Sequence, residues 1–176
     1  ADSLSRHGDG IANFQGFEIH VAGLLPGETG EVELDYVSRQ RPRAHGSVTK
    51  RRNTHPGRRP APCQHHGRCN GCAVMEMSVQ AQRNLKVSEL EAQYGLCVDR
   101  VVLVDEEGLN YRRSSKRVFA GEPGALELGS FMRGTHIVAD MAGCLVDHPD
   151  ISAAADELVK AANALGAAAF DELDES

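Results

Sequence analysis

The chain has 176 residues, 41% of them hydrophobic but only 5% aromatic and none tryptophan, which suffices for one medium domain or two small ones with a packed core. No basic start followed by an apolar run marks a signal peptide, and no stretch is apolar enough to span a bilayer as a helix, so no membrane partner and a cytoplasmic location are expected. In that reducing compartment the five cysteines read as metal ligands or core residues rather than as disulfides.

The net charge of −6 conceals a polarised distribution: the forty residues from Tyr36 to Met75 contain no Asp or Glu, so all 25 acidic residues lie elsewhere. That window holds nine basic residues: Arg39, Arg41, Arg43, Lys50, Arg51, Arg52, Arg58, Arg59 and Arg68. A solvated surface mixes its signs, whereas a long window free of acids points to a polyanionic partner. A flexible basic linker is the plainer alternative.

In chain order, residues 1–6 read as a frayed end, and His7-Gly-Asp-Gly-Ile-Ala12 opens a strand-rich region in which Gly8 and Gly10 suit a close backbone approach or a bulge. Phe17–Val21 alternates apolar and polar, Leu24-Leu-Pro-Gly-Glu28 is a turn, Gly30–Val37 alternates again, and Ala44–Thr49 reads as a further strand. Short strands separated by Gly/Pro turns point to a small OB-like β-barrel. The basic, proline-rich residues 50–62 form an irregular linker. Beyond it a helix is expected from Val74 to about Tyr94, with Val74, Met77, Ala81, Leu85 and Ser88 on one face and Gly95 as its cap. Val98–Val104 reads as a buried strand with Cys97 as a core thiol at its entry, and Glu106-Glu-Gly108 as a turn. Tyr111–Phe119 and Leu126–Phe131 read as antiparallel strands joined at Gly121-Glu-Pro-Gly124, and His136–Met141 as another. A second helix starts at Pro149-Asp150, with Asp150 as N-cap, a stripe of Ile151, Ala154, Ala155, Leu158, Ala162 and Leu165, and Gly166 as its end; the acidic residues 171–176 do not fold alone.

Between the linker and the first helix lies the densest chemistry: Cys63-Gln-His-His-Gly-Arg-Cys69-Asn-Gly-Cys72, three thiols spaced C-x5-C-x2-C, with Cys144 far downstream in Gly-Cys-Leu-Val. Three clustered cysteines and one distant one can supply the thiolates of an iron–sulfur cluster. Zinc competes on equal terms, since Cys69-x2-Cys72 is a zinc-type pair that Cys63, His65, His66 or Cys144 can complete. His65 and His66 read as loop residues or as outer-sphere donors.

Two resemblances sharpen this reading. The segments His7–Ala12 and Ile19-His-Val-Ala-Gly-Leu-Leu-Pro-Gly-Glu28 resemble the TRAM domain, an RNA-binding β-barrel, with His20 where relatives often carry an aromatic residue. The segment Pro62-Cys-x5-Cys-Asn-Gly-Cys72, followed by Gln82-x3-Lys86, resembles the 5-methyluridine RNA methyltransferases, in particular the 23S rRNA (uracil-5)-methyltransferases. That family combines a TRAM domain, a central domain with a [4Fe-4S] cluster and a methyltransferase domain. The resemblance implies Cys63, Cys69, Cys72 and Cys144 as cluster ligands and matches Tyr111-Arg112 to the start of the central sheet. It also favours rRNA over tRNA, whose branch generally lacks these cysteines. Asn70 and Met75-Glu76 depart from the pattern, which often has Gly and Gln-His there.

The same family's methyl transfer needs a Gly-rich S-adenosylmethionine loop, a cysteine that attacks uracil C6 and a carboxylate that helps remove the C5 proton. No sequence here matches these motifs, so no catalytic residue is assigned and the chain alone is expected to be inactive. The expected architecture is mixed: an OB-like TRAM barrel over residues 1–55, then a small α+β central domain over 56–176 with antiparallel strands and two main helices, the methyltransferase domain lying outside this chain. The expected RNA contacts are Arg39, Arg41, Arg43, Lys50, Arg51, Arg52, Arg58, Arg59, Tyr111 and Arg112 in a monomer. The alternative is a freestanding RNA-binding module with a structural iron–sulfur or zinc site.

Overall fold

A computed structural model describes residues 1–102, 107–132 and 135–170. The chain divides into two compact units: residues 1–60 with 73–88, and residues 61–72 with 89–176. The cysteine loop thus belongs to the second unit, although the chain returns to the first immediately after it.

The first unit is built on five strands, β1 (Ser3–Leu4), β2 (Gly10–Phe14), β3 (Phe17–Ala22), β4 (Gly30–Val37) and β5 (Arg43–Arg51). Their order is β1-β2-β3-β5-β4, with β3 and β5 parallel and the other pairs antiparallel. The alternating residues therefore form strands as their pattern requires. The ladder order ends at β1 and β4, and no pairing among the described residues joins these edges into a closed barrel. One face buries Val21 and Ala44 together with Leu24, Leu25, Met75 and Met77. The two predicted close approaches are real. A Cβ on Gly8, which has a φ of +83°, would lie 2.3 Å from the Ala73 carbonyl oxygen, and one on Gly10 would lie 2.5 Å from that of Leu24. In the turn after β3, Glu28 N–H donates to the Leu25 carbonyl at 3.0 Å, with Gly27 at a positive φ between them.

The first helix, α1 (Val79–Tyr94), starts five residues later than its apolar pattern predicts. Residues 74–78 are held otherwise: Arg59 N–H donates to the Glu76 carbonyl at 2.8 Å and Ser78 N–H to that of Gly57 at 2.7 Å. Met75 lies in a turn closed by the Met77 N–H on the Val74 carbonyl, Met77 bridges to Arg58, and both methionines are buried. Ser78 caps the helix, its Oγ accepting from the Ala81 amide at 3.2 Å. Of the predicted stripe, Ala81 and Leu85 are half-buried and Ser88 is exposed.

The second unit contains β6 (Val118–Ala120), β7 (Glu127–Phe131) and β8 (Val138–Asp140) in one antiparallel sheet, and α2 (Pro149–Ala164). Its core comprises Leu126, Leu128, Ala139, Met141, Val146 and Ala155. Asn163 of α2 clamps both backbone groups of Leu126, accepting from its amide at 2.6 Å and donating to its carbonyl at 3.1 Å. Asp147 is buried and paired with Arg117.

Several expectations need correction here. His148, not Asp150, caps α2, its ring accepting from the Asp150 amide, while Pro149 occupies the first turn, where a missing N–H costs nothing. Of the predicted Tyr111–Phe119 strand only Val118 and Phe119 join the sheet, as part of β6. Residues 110–112 pair instead with 145–148, through Asn110 N–H to the Leu145 carbonyl and Arg112 N–H to that of Val146, each at 2.9 Å. The described part of the predicted 98–104 strand, residues 98–102, pairs with no described strand, and Val102 is 71% exposed. Residues 103–106, which include part of that strand and of the following turn, and the acidic 171–176 lie outside the described residues. Cys97 is exposed rather than a core thiol, and the described residues 98–102 beside it form no strand. The α2 stripe is covered unevenly among the described residues: Ala155 is buried and Ile151 and Ala162 are half-buried, while Leu158 is 52% and Leu165 84% exposed. No helix among the described residues is long and apolar enough to cross a membrane.

Candidate functional site

The thiols of Cys63, Cys69, Cys72 and Cys144 all belong to the second unit, and all are free and half-buried. Loop 61–72 is a succession of tight turns: His66 N–H donates to the Cys63 carbonyl at 3.2 Å, and Cys69 N–H to that of His65 at 2.9 Å. Two side chains tie this loop to the β7–β8 hairpin. The His65 ring bonds the Ala142 carbonyl at 2.7 Å, and Asn70 Nδ2 donates to the Phe131 carbonyl at 2.9 Å. Cys144 follows directly after β8 in a turn closed by its own N–H on the Met141 carbonyl at 3.1 Å. His65 therefore reaches backbone two residues from Cys144, across 77 positions of sequence.

The electrostatics reflect this gathering. The Cys72 thiol is pushed up to about 11, first by burial and then by the thiols of Cys144, Cys69 and Cys63, with Arg112 opposing them. A thiol such as Cys72, whose ionisation is opposed by burial and by neighbouring sulfur, suits a polycationic metal core that stabilises the thiolate. Among the described residues no group of three or more His, Cys, Asp or Glu is drawn together as the ligands of a single metal ion. Arg112 enters this neighbourhood because residues 110–112 pair with the segment that follows Cys144. The same pairing leaves Tyr111 50% exposed. The sequence singled out the four cysteines, with His65 as a loop residue, outer-sphere donor or zinc ligand and Asn70 as a departure from the family pattern, but nothing in local spacing connects His65 and Asn70 to residues 142 and 131.

The other basic residues among the expected RNA contacts belong to the first unit and divide by partner. Arg58 is not a free surface cation. Its side chain is only 10% exposed, pairing with Glu28 at 2.7 Å and Glu76 at 3.0 Å and donating to the Gly23 carbonyl at 2.9 Å. Its assignment as an RNA contact therefore gives way to a structural role. Burial opposes ionisation of fully enclosed Glu28, yet Arg58 and the amides of His55 and Leu25 hold its carboxyl down at about 2. Arg51 donates to Gly23 and lies 3.8 Å from Glu28. Arg59, half-buried, donates through Nε to the Met75 carbonyl. Arg43 pairs with Glu18 at 2.6 Å, and Arg52 with Glu31 at 3.7 Å. Arg39, Arg41 and Lys50 are exposed, and no ion pair among the described residues engages them. Arg39 and Arg41 sit on the β4–β5 hairpin loop, which Ser38 shapes by accepting from the Gln40 and Arg41 amides at 3.3 Å each.

No family model matches the chain. Among curated proteins it is 33% identical to an uncharacterized RNA methyltransferase of Parasynechococcus marenigrum over 183 aligned residues, covering all of this chain and 39% of that protein. It is 35% identical to the 23S rRNA (uracil(1939)-C(5))-methyltransferase RlmD of Chromohalobacter salexigens, covering 86% of this chain and 32% of that protein. To the RlmD of Photorhabdus laumondii it is 38% identical, covering 66% of this chain and 27% of that protein. The chain thus spans about a quarter to two fifths of the length of these relatives. The match over its own length, together with the cysteine loop and the basic unit, supports one conclusion: the chain belongs to the RNA methyltransferase family that includes the 23S rRNA (uracil-5)-methyltransferases.

Proposed function

We propose that this chain is the RNA-holding part of an S-adenosylmethionine-dependent RNA (uracil-C5)-methyltransferase acting on rRNA, and that Cys63, Cys69, Cys72 and Cys144 hold a structural [4Fe-4S] cluster. The observation that carries this reading is the tethering of loop 61–72 to the β7–β8 hairpin through His65 and Asn70, with Cys72 in electrostatic reach of Cys63, Cys69 and the sequence-distant Cys144. When bound, such a cluster supplies a covalent cross-link between loop and sheet. The chain's own residues do the rest: His65 and Asn70 pin the loop, and Arg112 offsets the negative charge that the thiolates bring.

On this reading the first unit is the TRAM-like module. It presents Arg39, Arg41 and Lys50 to phosphates, while Arg58 and Glu28 hold its fold. Methyl transfer, the S-adenosylmethionine site and the uracil-attacking cysteine belong to the length of the relatives that this chain does not span. The target uridine has to leave its stack before methylation, which costs a few kcal/mol, and backbone contacts offset part of that.

Three phosphate contacts predict that log K for single-stranded RNA falls with log salt at a slope of roughly −2. Fluorescence anisotropy of a labelled oligoribonucleotide titrated with the chain at several salt concentrations measures it. A slope near zero would overturn the RNA-holding reading.

A further inference from the structure

We infer that Tyr36, at the hairpin end of β4, is a stacking platform for an unpaired nucleobase of single-stranded RNA. The inference rests on the RNA-holding reading above and adds to it a base-contact site. The strand register builds the platform. Tyr36 lies opposite His45 in the β4–β5 ladder, and His45 lies opposite His20 in the β3–β5 ladder. Cross-strand partners share a face, so the three rings form one row across the sheet. Their centroids are 6.1 Å apart for Tyr36 and His45, and 5.0 Å for His45 and His20. The neighbouring register positions, Val21 opposite Gly46 and Ile19 opposite Ala44, alternate to the other face, where Val21 and Ala44 are core residues.

The row is graded in exposure. The His20 side chain is 13% exposed and bonded to Glu18 at 2.8 Å, His45 is half-buried, and Tyr36 is 58% exposed. The histidines therefore buttress a ring that is itself open to solvent. A tyrosine held in this way presents a preorganised π-face at little entropic cost to its ligand.

Charge selects the ligand. Two residues beyond β4, the hairpin loop carries Arg39 and Arg41, exposed and outside every ion pair among the described residues. Glu18, the acid nearest the row, is matched by Arg43 at 2.6 Å and by His20. Asp35 accepts from Ser47 Oγ, while Glu31 and Glu33 lie toward the other end of β4. An open aromatic ring beside two unpaired arginines is the combination that grips single-stranded nucleic acid, the ring taking a base and the guanidinium groups taking phosphates. An acidic or apolar protein segment would leave one half of this pair unused.

The chain lacks tryptophan, so Tyr36→Trp installs a unique fluorophore at the proposed site. Titrating that variant with a short oligouridine should quench its emission as anisotropy of a labelled oligomer reports binding. Tyr36→Ala, on a solvent face and checked by circular dichroism, should weaken binding roughly ten-fold, and Tyr36→Phe should restore it. Wild-type binding with the expected salt slope, but no loss in Tyr36→Ala and no quenching in Tyr36→Trp, would overturn the stacking site and leave the phosphate grip standing. Failure of the wild-type chain to bind RNA at low salt would overturn both. If Tyr36→Ala fails to fold, the quenching of Tyr36→Trp decides alone.

Discussion

Replacing Glu28 with glutamine removes the charge at the centre of the first unit. Glu28 is fully buried and accepts from the Leu25 and His55 amides at 2.9 Å each, and from Arg58 Nε and a terminal guanidinium nitrogen at 2.7 Å each. Its carboxyl is held at about 2 against an ordinary 4.5. At 1.36 kcal/mol per pH unit, that difference corresponds to about 3 kcal/mol of stability linked to its ionisation. The sign follows from the depressed value: the contribution is complete above about pH 4.5 and is lost as pH falls toward 2. Glu28→Gln also strands Arg58 beside Glu76 with half its partners gone, and breaking a buried pair costs roughly 3–5 kcal/mol. Urea denaturation of both proteins between neutral pH and pH 3 measures the effect, since taking the difference at each pH cancels the other carboxylates. A deficit of about 3 kcal/mol at pH 7 that narrows steadily below pH 4.5 is expected. A wild-type midpoint for Glu28→Gln at pH 7, or a deficit that does not change with pH, would refute the assigned role.

Other perturbations separate the parts of the account. Cys144→Ser should abolish stable metal loading and lower the thermal midpoint of the second unit, measured by iron content and differential scanning fluorimetry. His65→Ala removes one loop tether of 2.7 Å and should cost about 1 kcal/mol, read as faster loss of iron to a chelator with the four thiols intact. Arg39→Gln and Arg41→Gln should each reduce the salt slope of RNA binding by about 0.7 while leaving the thermal midpoint unchanged. Gly8→Ala forces a Cβ to 2.3 Å from the Ala73 carbonyl at a left-handed φ, so it should destabilise the first unit by more than the ~1 kcal/mol of a simple Gly-to-Ala backbone effect, measured by urea denaturation.

The sequence was most legible where one residue's chemistry left few choices. Alternation in Phe17–Val21 and Gly30–Val37 predicts strands because one face must be buried, and both form. Gly8 and Gly10 mark close approaches because no larger residue fits them. The α1 boundary was misplaced because Val74 and Met77 fit a helical stripe equally well, and only pairing with residues 57–59 decides otherwise. The Val98–Val104 run has strand composition, yet its described residues 98–102 join no strand ladder, because a strand is made by cross-strand pairing that composition alone does not encode. At the candidate site the thiols could be found by residue type, but His65 and Asn70 act through contacts with residues 142 and 131 that no local pattern encodes. Arg58 shows the reverse error: as one of nine cations in an acid-free window it reads as surface charge, yet its partners Glu28 and Glu76 lie just outside that window and bury it.

The central claim is that the four thiols hold an iron–sulfur core. Anaerobic purification followed by iron, zinc and acid-labile sulfide analysis tests it most directly. The account predicts a brown protein absorbing broadly near about 400 nm, with roughly four irons and four sulfides per chain. A colourless protein carrying one zinc and no sulfide would contradict it.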